Sequence, residues 1–382
     1  MTTPASAHSE LFIGLMSGTS LDGVDAVLAD FSGTRAHLVG ATYIGFPSQL
    51  RESLLALQSS GDDELHRTAI AANALVDIYV AAIAQLLAAT GVEAGAVAAV
   101  GAHGQTVRHR PSQHYTWQIN NPARLAEMAA ITVIADFRAR DVAAGGQGAP
   151  LVPAFHAALF QQPHTHRVAV NIGGIGNITN LPPGMDGEGV TGWDTGPGNV
   201  LMDLWCERHR GTPYDDDGNW AASGIVDVAL LARLRTEPYF TQTPPKSTGR
   251  DLFNAEWLDA RIGLAPVNEN VQSTLLQLTV DTIAGDIARH CAEAQEVIIC
   301  GGGARNGALM KRLATALAIA AADSGKALPS LQRSDDLGVP SNQVEAFAFA
   351  WLARQALRGE PGNLPAVTGA RGRRILGAVY PA

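Results

Sequence analysis

One pattern occurs twice in this chain and constrains its fold most strongly: an apolar run, a glycine-rich turn and a second apolar run. The first copy, residues 12–31, reads FIGLMSGTSLDGVDAVLADF, and the second, residues 167–181, reads RVAVNIGGIGNITNL. Apolar runs of strand length on either side of such turns predict β-hairpins. Strand and helix patterns alternate after each copy, so we expect two α/β domains of similar plan, each a mixed sheet covered by helices.

The size and charge of the chain limit what it can bind. Its 382 residues are enough for two domains, and a content of 46% hydrophobic and 16% charged residues is globular. The formal net charge of −9 opposes non-specific binding to nucleic acid or to an anionic membrane. We therefore predict no nucleic-acid partner and no membrane association. An anionic ligand would need local help from backbone N–H groups, arginine or a metal.

Cysteine usage and the first residues predict a soluble, cytoplasmic protein. Cys206, Cys291 and Cys300 have neither metal-binding nor redox spacing, which is typical of reduced thiols. The opening residues, MTTPASAHSE, lack the basic start and apolar stretch of a signal peptide. Apolar runs such as YVAAIAQLLAA are too short to span a bilayer, so we expect no membrane segment.

The turn of the first hairpin has the chemistry of a phosphate cradle. Glycine lets backbone N–H groups approach a ligand, and Ser and Thr add hydroxyl donors, so SGTS at residues 17–20 can form a nest for phosphate oxygens. Asp22 and Asp25 follow and can hold Mg²⁺ through water. An ordinary hairpin turn with solvated aspartates is the alternative. The second hairpin and the CGGGARN turn at residues 300–306 favour the phosphate interpretation.

Two familiar phosphate-binding motifs do not fit. The P-loop requires a glycine before its Lys-Ser pair, and the only such pair, in PPKSTGRD, has Pro245 there. The dinucleotide fingerprint is partly met by Gly174 and Gly176, but Thr179 takes the third glycine position. That turn also leads into a predicted strand, NITNL, where the fingerprint requires a helix.

The stretch GWDTGPGN holds the sharpest candidate for catalysis. We expect Asp194 to end a strand and the next residues to lead into a helix. A carboxylate held at a strand end beside a cleft can act as a general base, and the following helix N-terminus favours anions. An aspartate that only caps the turn explains the same pattern, and the spacing leaves both interpretations open.

Three further stretches carry polar groups that could hold a substrate. GAHGQTVRHRP contains Gln105 and Thr106 after a strand and could bind a sugar or a carboxylate, or be a solvated loop. In DFRARD, Arg138 can clamp a carboxylate or pair with its aspartate neighbours. Glu345 opens the apolar helical run VEAFAFAWLAR, either as a first-turn charge or as a cleft residue.

Together these stretches point to a family. GLMSGTSLDGVD, GAHGQTV, DFRARD, GGQGAPLVPAFH, NIGGIGNIT, GWDTGPGN, PKSTGRDLFN, CGGGARN, EAFAFAWLA and GNLPAVTGA closely resemble the motifs of the anhydro-N-acetylmuramic acid kinase family. The resemblance runs from about Phe12 to the end of the chain, and several motifs are long and rarely shared. Gly176 replaces a common Ala and Gln343 a usual acid, and neither change touches the chemistry.

The resemblance implies a fold and a reaction. The fold is that of the actin/hexokinase-like ATPases, with two RNase H-like domains around a hinged cleft; we place the first at residues 1–137 and 366–382 and the second at 138–365. The substrate is 1,6-anhydro-N-acetylmuramic acid from bacterial cell-wall turnover. The enzyme opens the anhydro bond with water and phosphorylates O6 from ATP with Mg²⁺, which gives N-acetylmuramic acid 6-phosphate. The family also suggests a homodimer.

The resemblance further assigns residues. It implies Asp194 as the base. Asp22 and Asp25 stay the candidates to hold Mg²⁺ through water, and the sequence does not distinguish between them. It places ATP against Gly18, Thr19, Ser20, Leu21, Asp22, Gly23, Val24, Asp25, Gly173, Gly174, Gly301, Gly302 and Gly303. For the substrate it suggests Gln105, Thr106, Arg138 and Glu345, with Arg138 on the lactyl carboxylate. The rivals are another sugar or carboxylate kinase of the same superfamily and an ATP-switched binding module of the actin or chaperone kind.

Overall fold

The computed structural model describes residues 10–18, 21–33, 35–263 and 267–382, which form two compact units. The first unit comprises Met1–Phe155 and Gln343–Ala382, and the second comprises His156–Asn342. These boundaries differ from the predicted division at residues 137/138 and 365/366. The difference arises because the helix that contains Glu345 packs closely on the first sheet. A Cβ at Gly14 would collide with the carbonyl oxygen of Ala346, and one at Gly101 with that of Phe349.

The strands are numbered in chain order. They are β1 Leu11–Met16, β2 Gly23–Asp30, β3 His37–Gly45, β4 Val97–Ala102, β5 Gln105–Arg110, β6 Tyr115–Ile119, β7 Val133–Ala135, β8 Arg167–Ile172, β9 Ile175–Leu181, β10 Thr191–Pro197, β11 Glu296–Cys300, β12 Ser330–Arg333 and β13 Ala378–Tyr380. The segment YTWQI forms β6. The GAHGQTV segment differs from the predicted loop, since its last residues begin β5, which pairs with β6 in a separate two-stranded sheet.

The helices follow the same convention. They are α1 Ser48–Ala56, α2 Glu64–Thr90, α3 Pro122–Ala129, α4 Ala139–Ala143, α5 Val152–Phe160, α6 Val200–Arg210, α7 Asn219–Ser223, α8 Val228–Leu234, α9 Ala255–Asp259, α10 Asn268–His290, α11 Gly307–Ser324, α12 Val344–Arg358 and α13 Pro365–Thr368. The apolar run VEAFAFAWLAR, predicted to be helical, forms most of α12.

The two main sheets repeat one strand order. The first sheet runs β13-β7-β4-β1-β2-β3, and the second runs β10-β9-β8-β11-β12. In each, three consecutive strands form an antiparallel meander, and two later strands add in parallel beside its first strand. Strand β13 adds an antiparallel edge to the first sheet. This confirms the α/β class and the predicted repetition of an RNase H-like unit.

The core of the first unit lies between its sheet and helices on both faces. Ile13 and Leu15 of β1 join one apolar cluster with Tyr79 of α2, while Gly14 between them faces α12. Because successive residues of a strand point to opposite faces, this alternation allows one strand to be covered on both sides. The glycine is needed since the α12 backbone approaches at that point.

The length of helix α2 changes the argument about membrane-spanning segments. The apolar run YVAAIAQLLAA lies within this 27-residue helix. By length and composition, α2 is the one helix in the described part of the chain that could cross a membrane. Its apolar character has another explanation, because one face packs into the core of the first unit. The residues on that face are Leu75, Val76, Tyr79, Ile83 and Leu86.

The second unit is built around the long helix α10. Leu275, Leu276 and Ile283 are almost fully buried and pack into one cluster with Val168 and Val170 of β8. Strand β10 extends further than predicted: Asp194 lies inside it rather than at its end. The pairing with β9 shifts between Asp194 and Gly196, so Thr195 forms a local irregularity in the strand.

Candidate functional site

The turn between β1 and β2 is held by side chains from the β4–β5 connection. Ser17 is buried, and its hydroxyl donates to the carbonyl of Gly104 at 3.1 Å. The side-chain amide of Gln105 donates to the carbonyl of Gly18 at 3.2 Å. Of the predicted ATP-binding residues in this turn, Thr19 and Ser20 lie outside the described residues. Two hydrogen bonds to residues 104 and 105 therefore anchor Ser17 and Gly18 at the start of the turn.

Residues 21–25 leave the turn in a constrained conformation. Leu21 has a φ of +55° and donates its N–H to Gly18 at 3.3 Å. A Cβ at Gly23 would lie 2.6 Å from the Tyr43 hydroxyl and would collide with the carbonyl of Ile44. Val24 is fully buried in the core of the unit. Gly23 is thus required by the close approach of β3, and Val24 serves packing.

The two aspartates of this hairpin share a neighbour. Burial raises the pKa of the Tyr43 phenol, and the negative charges of Asp22 and Asp25 raise it further. Asp25 also accepts a long hydrogen bond of 3.4 Å from the side-chain amide of Gln343. No group of three or more metal-binding side chains occurs among the residues that the structure describes. Two carboxylates suit Mg²⁺, which usually keeps several waters and binds one or two carboxylates together with phosphates.

A second polar group in this unit surrounds His103. Its Nδ1 lies 3.3 Å from the carbonyl of Ser17, and its Nε2 accepts hydrogen bonds from Arg138. Burial, and next the charge of Arg138, lower the pKa of His103 to about 3, so the ring is neutral. Burial lowers the pKa of Arg138 to about 10 against the opposing charges of Glu345 and Asp141. The structure thus brings Arg138 and Glu345 within electrostatic reach of each other.

Gln105 and Thr106 start β5 beside this group. The Gln105 side chain is buried, and its Oε1 accepts no hydrogen bond from the described residues. The Thr106 hydroxyl accepts from the Gln118 amide at 3.2 Å, and the Thr106 carbonyl accepts from the Gln58 amide at 3.0 Å. A buried oxygen without a partner is costly, and a ligand that donates a hydrogen bond to Gln105 Oε1 would remove that cost.

In the second unit, the structure brings the predicted glycine turns together. Gly173 and Gly174 connect β8 to β9, and their carbonyls accept N–H bonds of 2.8 and 2.9 Å from Asn199 and Gly198 before α6. Gly301 has a φ of +80°, and a Cβ there would lie 2.6 Å from the carbonyl of Ile172. The turn after β11 therefore lies directly against the end of β8.

Asn199 and the rest of the triple-glycine turn complete this cluster. The Asn199 side-chain amide donates to the Ile172 carbonyl at 3.1 Å, and a Cβ at Gly302 would lie 3.8 Å from the same amide. Gly303 packs against the Ile172 side chain so closely that a Cβ would collide with it. Glycine is needed here because two backbones meet, and this leaves a turn of bare backbone that can approach phosphates.

Asp194 projects from β10 into a polar pocket made by one loop. Its Oδ2 accepts hydrogen bonds from the Ser247 hydroxyl at 2.8 Å and from the Thr248 N–H at 2.9 Å. Burial raises the pKa of Asp194, against the lowering effects of those two bonds and of the charge on Lys246. Both bonds fall on one oxygen, and Oδ1 has no hydrogen-bond donor among the described residues. A raised pKa and a free oxygen are properties of a general base.

The sequence reasoning missed the loop that holds Asp194. PPKSTGRD does not fit a P-loop, and its match to a family motif gave its residues no role, yet it supplies Lys246, Ser247 and Thr248 to the candidate base. The guanidinium of Arg250, in the same loop, lies 3.7 Å from the position that a Cβ on Gly174 would take. A run of Lys, Ser, Thr and Arg after two prolines was the available signal, but its target could not be read from spacing.

The chain is similar to known proteins over nearly its whole length. A family model described as anhydro-N-acetylmuramic acid kinase matches residues 10–382. A relative of that name from Ralstonia nicotianae is 55% identical over 100% of both chains. Another from Cupriavidus pinatubonensis is 55% identical over 98% of this chain and 99% of its own. Among solved structures, a ROK family glucokinase from Streptomyces griseus, in complex with glucose and AMPPNP, has a TM-score of 0.42 and 14% identity, with 90% of this chain and 99% of that chain covered.

The fold repeats an α/β unit with clustered glycine turns, and the family match covers nearly the whole chain. These features define an ATP-binding kinase, a transferase that acts in sugar metabolism. The chain belongs to the anhydro-N-acetylmuramic acid kinase family.

Proposed function

We propose that this kinase hydrolytically opens 1,6-anhydro-N-acetylmuramic acid and phosphorylates its O6 from ATP, as a step of peptidoglycan recycling. The observation that carries the proposal is Asp194, a partly buried carboxylate with one oxygen held by Ser247 and Thr248 and the other available. The full-length similarity to relatives named for this sugar supports the choice of substrate.

The chemistry explains why such a carboxylate is needed. In the anhydro sugar O6 is bonded to C1, so O6 carries no proton and cannot accept a phosphoryl group until that bond breaks. Water attacks C1 and gives a proton to Asp194, the C1–O6 bond breaks, and the electron pair passes to O6. O6 then attacks the γ-phosphorus, and ADP leaves. A positioned base contributes about 10²–10⁴-fold to such a step.

The glycine turns serve ATP in this proposal. Gly18, Leu21 and Gly23 belong to the hairpin of the first unit, together with Thr19, Ser20 and Val24, and we assign this hairpin to the phosphates. Gly173, Gly174, Gly301, Gly302 and Gly303 form the cluster of the second unit, and we assign it to the same nucleotide. Backbone N–H groups of such turns stabilise phosphate charge. Mg²⁺, when bound through water to Asp22 and Asp25, supplies further neutralisation of phosphate charge.

The group around His103 serves the sugar in this proposal. A guanidinium has five N–H donors, and Arg138 commits three of them to His103 and to the Gly148 carbonyl. The remaining donors suit the lactyl carboxylate of the substrate, since a planar guanidinium matches a carboxylate. Glu345, Gln105 and Thr106 supply acceptors for sugar hydroxyl and amide groups.

One isotope experiment tests the reaction. The protein is incubated with ATP, Mg²⁺ and 1,6-anhydro-N-acetylmuramic acid in ¹⁸O-labelled water, and the product is weighed by mass spectrometry. We expect a phosphorylated sugar with one ¹⁸O at C1. A phosphorylated sugar without ¹⁸O would exclude attack by water. An unmodified sugar would contradict the substrate assignment, and ordinary sugars and small carboxylates would then be tested as acceptors. ATP hydrolysis alone would indicate a switched binding module.

Assembly and location are tested separately. We propose a homodimer in the cytoplasm, as the family resemblance suggests. Light scattering during size-exclusion chromatography would give twice the chain mass of 39.9 kDa for a dimer. Recovery of the native protein in the membrane fraction of its cell would contradict the location and would return attention to α2.

A further inference from the structure

A buried ion pair lies next to Asp194, and the proposed chemistry does not use it. The Lys246 ammonium is 3.1 Å from Oδ2 of Asp286 on α10, and each side chain is only 1% exposed. Asp286 also accepts a 2.9 Å hydrogen bond from the indole of Trp193 and is paired with Arg289. Buried ion pairs are weak contributors to stability, because removing both charges from water costs about as much as their attraction returns. A role other than stability is therefore worth seeking.

The pair is joined to Asp194 through the backbone on both sides. The N–H of Asp194 donates to the Lys246 carbonyl at 3.1 Å. The Tyr239 hydroxyl donates to the Asp194 carbonyl at 2.7 Å, and the Lys246 ammonium lies 5.1 Å from the centre of the Tyr239 ring. Trp193, which binds Asp286, directly precedes Asp194. Ser247 and Thr248, which bind the Asp194 carboxylate, directly follow Lys246. The contact between Lys246 and Asp286 therefore fixes both the loop and the strand that surround this carboxylate.

The charges around Asp194 make Lys246 distinctive. Burial raises the pKa of the Asp194 carboxyl, and among the described residues Lys246 is the one cation that lowers it. On α10, Asp286 pairs with Lys246 and Arg289, while the His290 ring meets the edge of Trp193 at 5.5 Å. Burial lowers the pKa of His290, and burial and the negative charges of Asp194 and Asp286 raise that of Tyr239. Neither of these groups adds positive charge at neutral pH.

We propose that Lys246, held in place by Asp286, is a positioning residue that keeps the Asp194 carboxylate ionised and correctly oriented for proton abstraction. This inference rests on the proposed function of Asp194. A carboxylate must be partly dehydrated to be a strong base, yet Asp194 must also remain charged. A buried ammonium satisfies both requirements, because its electric field is little screened and it brings no water to the carboxylate. Asp286 in turn pairs with Lys246, so the buried ammonium is not left without a counter-charge.

The test is the pH dependence of kcat/KM for the anhydro sugar in four proteins. They are the wild type, Lys246→Arg, Lys246→Met and the double variant Lys246→Met with Asp286→Asn. The double variant removes both buried charges, leaves only the half-exposed Arg289 without its carboxylate partner and keeps an acceptor for Trp193, so it remains informative if the single variant fails to fold. Loss of the Lys246 charge should raise the pKa of Asp194 and so move the acid limb to higher pH. Lys246→Arg should restore most of the wild-type profile.

Lys326→Met is the matched control. Lys326 is the partner of Glu293 in an exposed ion pair of the same unit, and this variant should keep the wild-type profile. If Lys246→Met is folded by thermal melting and keeps the wild-type acid limb, the proposal is wrong. The double variant also removes the negative charge of Asp286, so its readout is kcat/KM at neutral pH, and a folded double variant with the wild-type value would equally contradict the proposal. Asp194→Asn is measured beside them to separate the two levels of inference. If Asp194→Asn is fully active, the base assignment itself fails; if it is inactive while the Lys246 variants keep the wild-type profile, only the role of Lys246 fails.

Discussion

Arg138 donates two hydrogen bonds to a single acceptor, Nε2 of His103, at 3.1 and 3.0 Å. Because Nε2 accepts, the proton of the neutral ring sits on Nδ1 and is donated to the carbonyl of Ser17. His103 therefore links the residue proposed for the substrate carboxylate to the turn proposed for phosphate. Its uncharged state is what allows it to accept from a guanidinium.

Replacing Arg138 should weaken sugar binding selectively. In Arg138→Met we expect the KM for the anhydro sugar to rise roughly 10–100-fold, because a charge-assisted bond to the lactyl carboxylate is lost. The dissociation constant for ATP should change little. Steady-state kinetics and calorimetry measure the two effects, and Arg140→Met, at an exposed neighbour, is the control. Equal losses of sugar and ATP binding would instead indicate that Arg138 only supports the fold.

Buried neutral histidines should make the protein less stable in mild acid. Burial lowers the pKa of His156 to about 3, and burial with the Arg138 charge does the same for His103. Both folded-state pKa values lie below the unfolded value of about 6.5, so the unfolded chain binds more protons below that pH. The free energy of unfolding should therefore fall as the pH drops from about 6.5 toward 3.

Urea denaturation at several pH values measures this loss. His156→Gln should flatten the pH dependence, since the substituted side chain does not titrate, whereas His164→Gln at an exposed position should leave it as in the wild type. A His156→Gln protein with an unchanged slope between neutral and mildly acidic pH would show that other groups cause the loss.

Removing the Asp194 carboxylate should abolish turnover without loss of nucleotide binding. In Asp194→Asn we expect kcat to fall about 10²–10⁴-fold, because the amide cannot accept the proton of the attacking water. The shape of the side chain and its hydrogen bonds to Ser247 and Thr248 change little, so ATP should still bind. Calorimetric titration with ATP and a coupled ADP assay give the two numbers. Wild-type turnover in this variant would exclude Asp194 as the base.

The Ser247 hydroxyl should matter most in acid. Its 2.8 Å bond to Oδ2 helps to lower the pKa of Asp194, so Ser247→Ala should raise that pKa. We expect kcat/KM to fall about tenfold at mildly acidic pH and less in alkali, where Asp194 is ionised in both proteins. Thr241→Ala removes a hydroxyl that binds only the nearby Pro238 carbonyl, and it serves as the control. A loss that is the same at every pH would contradict this explanation.

Two glycines with the same backbone conformation should respond differently to alanine. Gly301 and Gly325 have φ values of +80° and +65°, so each substitution carries a conformational cost of about 1 kcal/mol. At Gly325 nothing lies within 4 Å of the new Cβ, but at Gly301 it would meet the Asn171 side chain at 2.5 Å. Gly301→Ala should therefore destabilise the protein more and weaken ATP binding. Thermal melting and ATP titration compare the two, and equal effects would show that the close approach is unimportant.

Much of the fold was accessible from local patterns. The two hairpins, the strand YTWQI and helix α12 follow from apolar periodicity and from Gly, Asn and Asp at turns, which act over a few residues. The domain boundaries were harder to place, because α12 joins the first sheet after a long excursion of the chain. In the sequence, Gly14 and Gly101, which allow the α12 backbone to approach the sheet, are the signs of that packing.

The candidate base illustrates the limit of local reasoning. Asp194 was predicted at a strand end, whereas the strand continues past it through an irregularity at Thr195. A one-residue irregularity depends on the partner strand, and the single sequence contains no direct record of pairing. The hydroxyl that holds Asp194 comes from Ser247, 53 residues later.

The sequence by itself determined the α/β class, the repeated hairpin and the identity of the chemical groups, because backbone periodicity and turn chemistry are short-range. Tertiary structure decided which groups meet: Lys246 with Asp286 beside Asp194, and His103 with Arg138 beside the first turn. These side chains come together because distant segments of the chain are buried in common cores. Burial then alters the pKa values of Asp194 and His103, since the charge of a side chain depends on the water and the charges that the fold leaves around it.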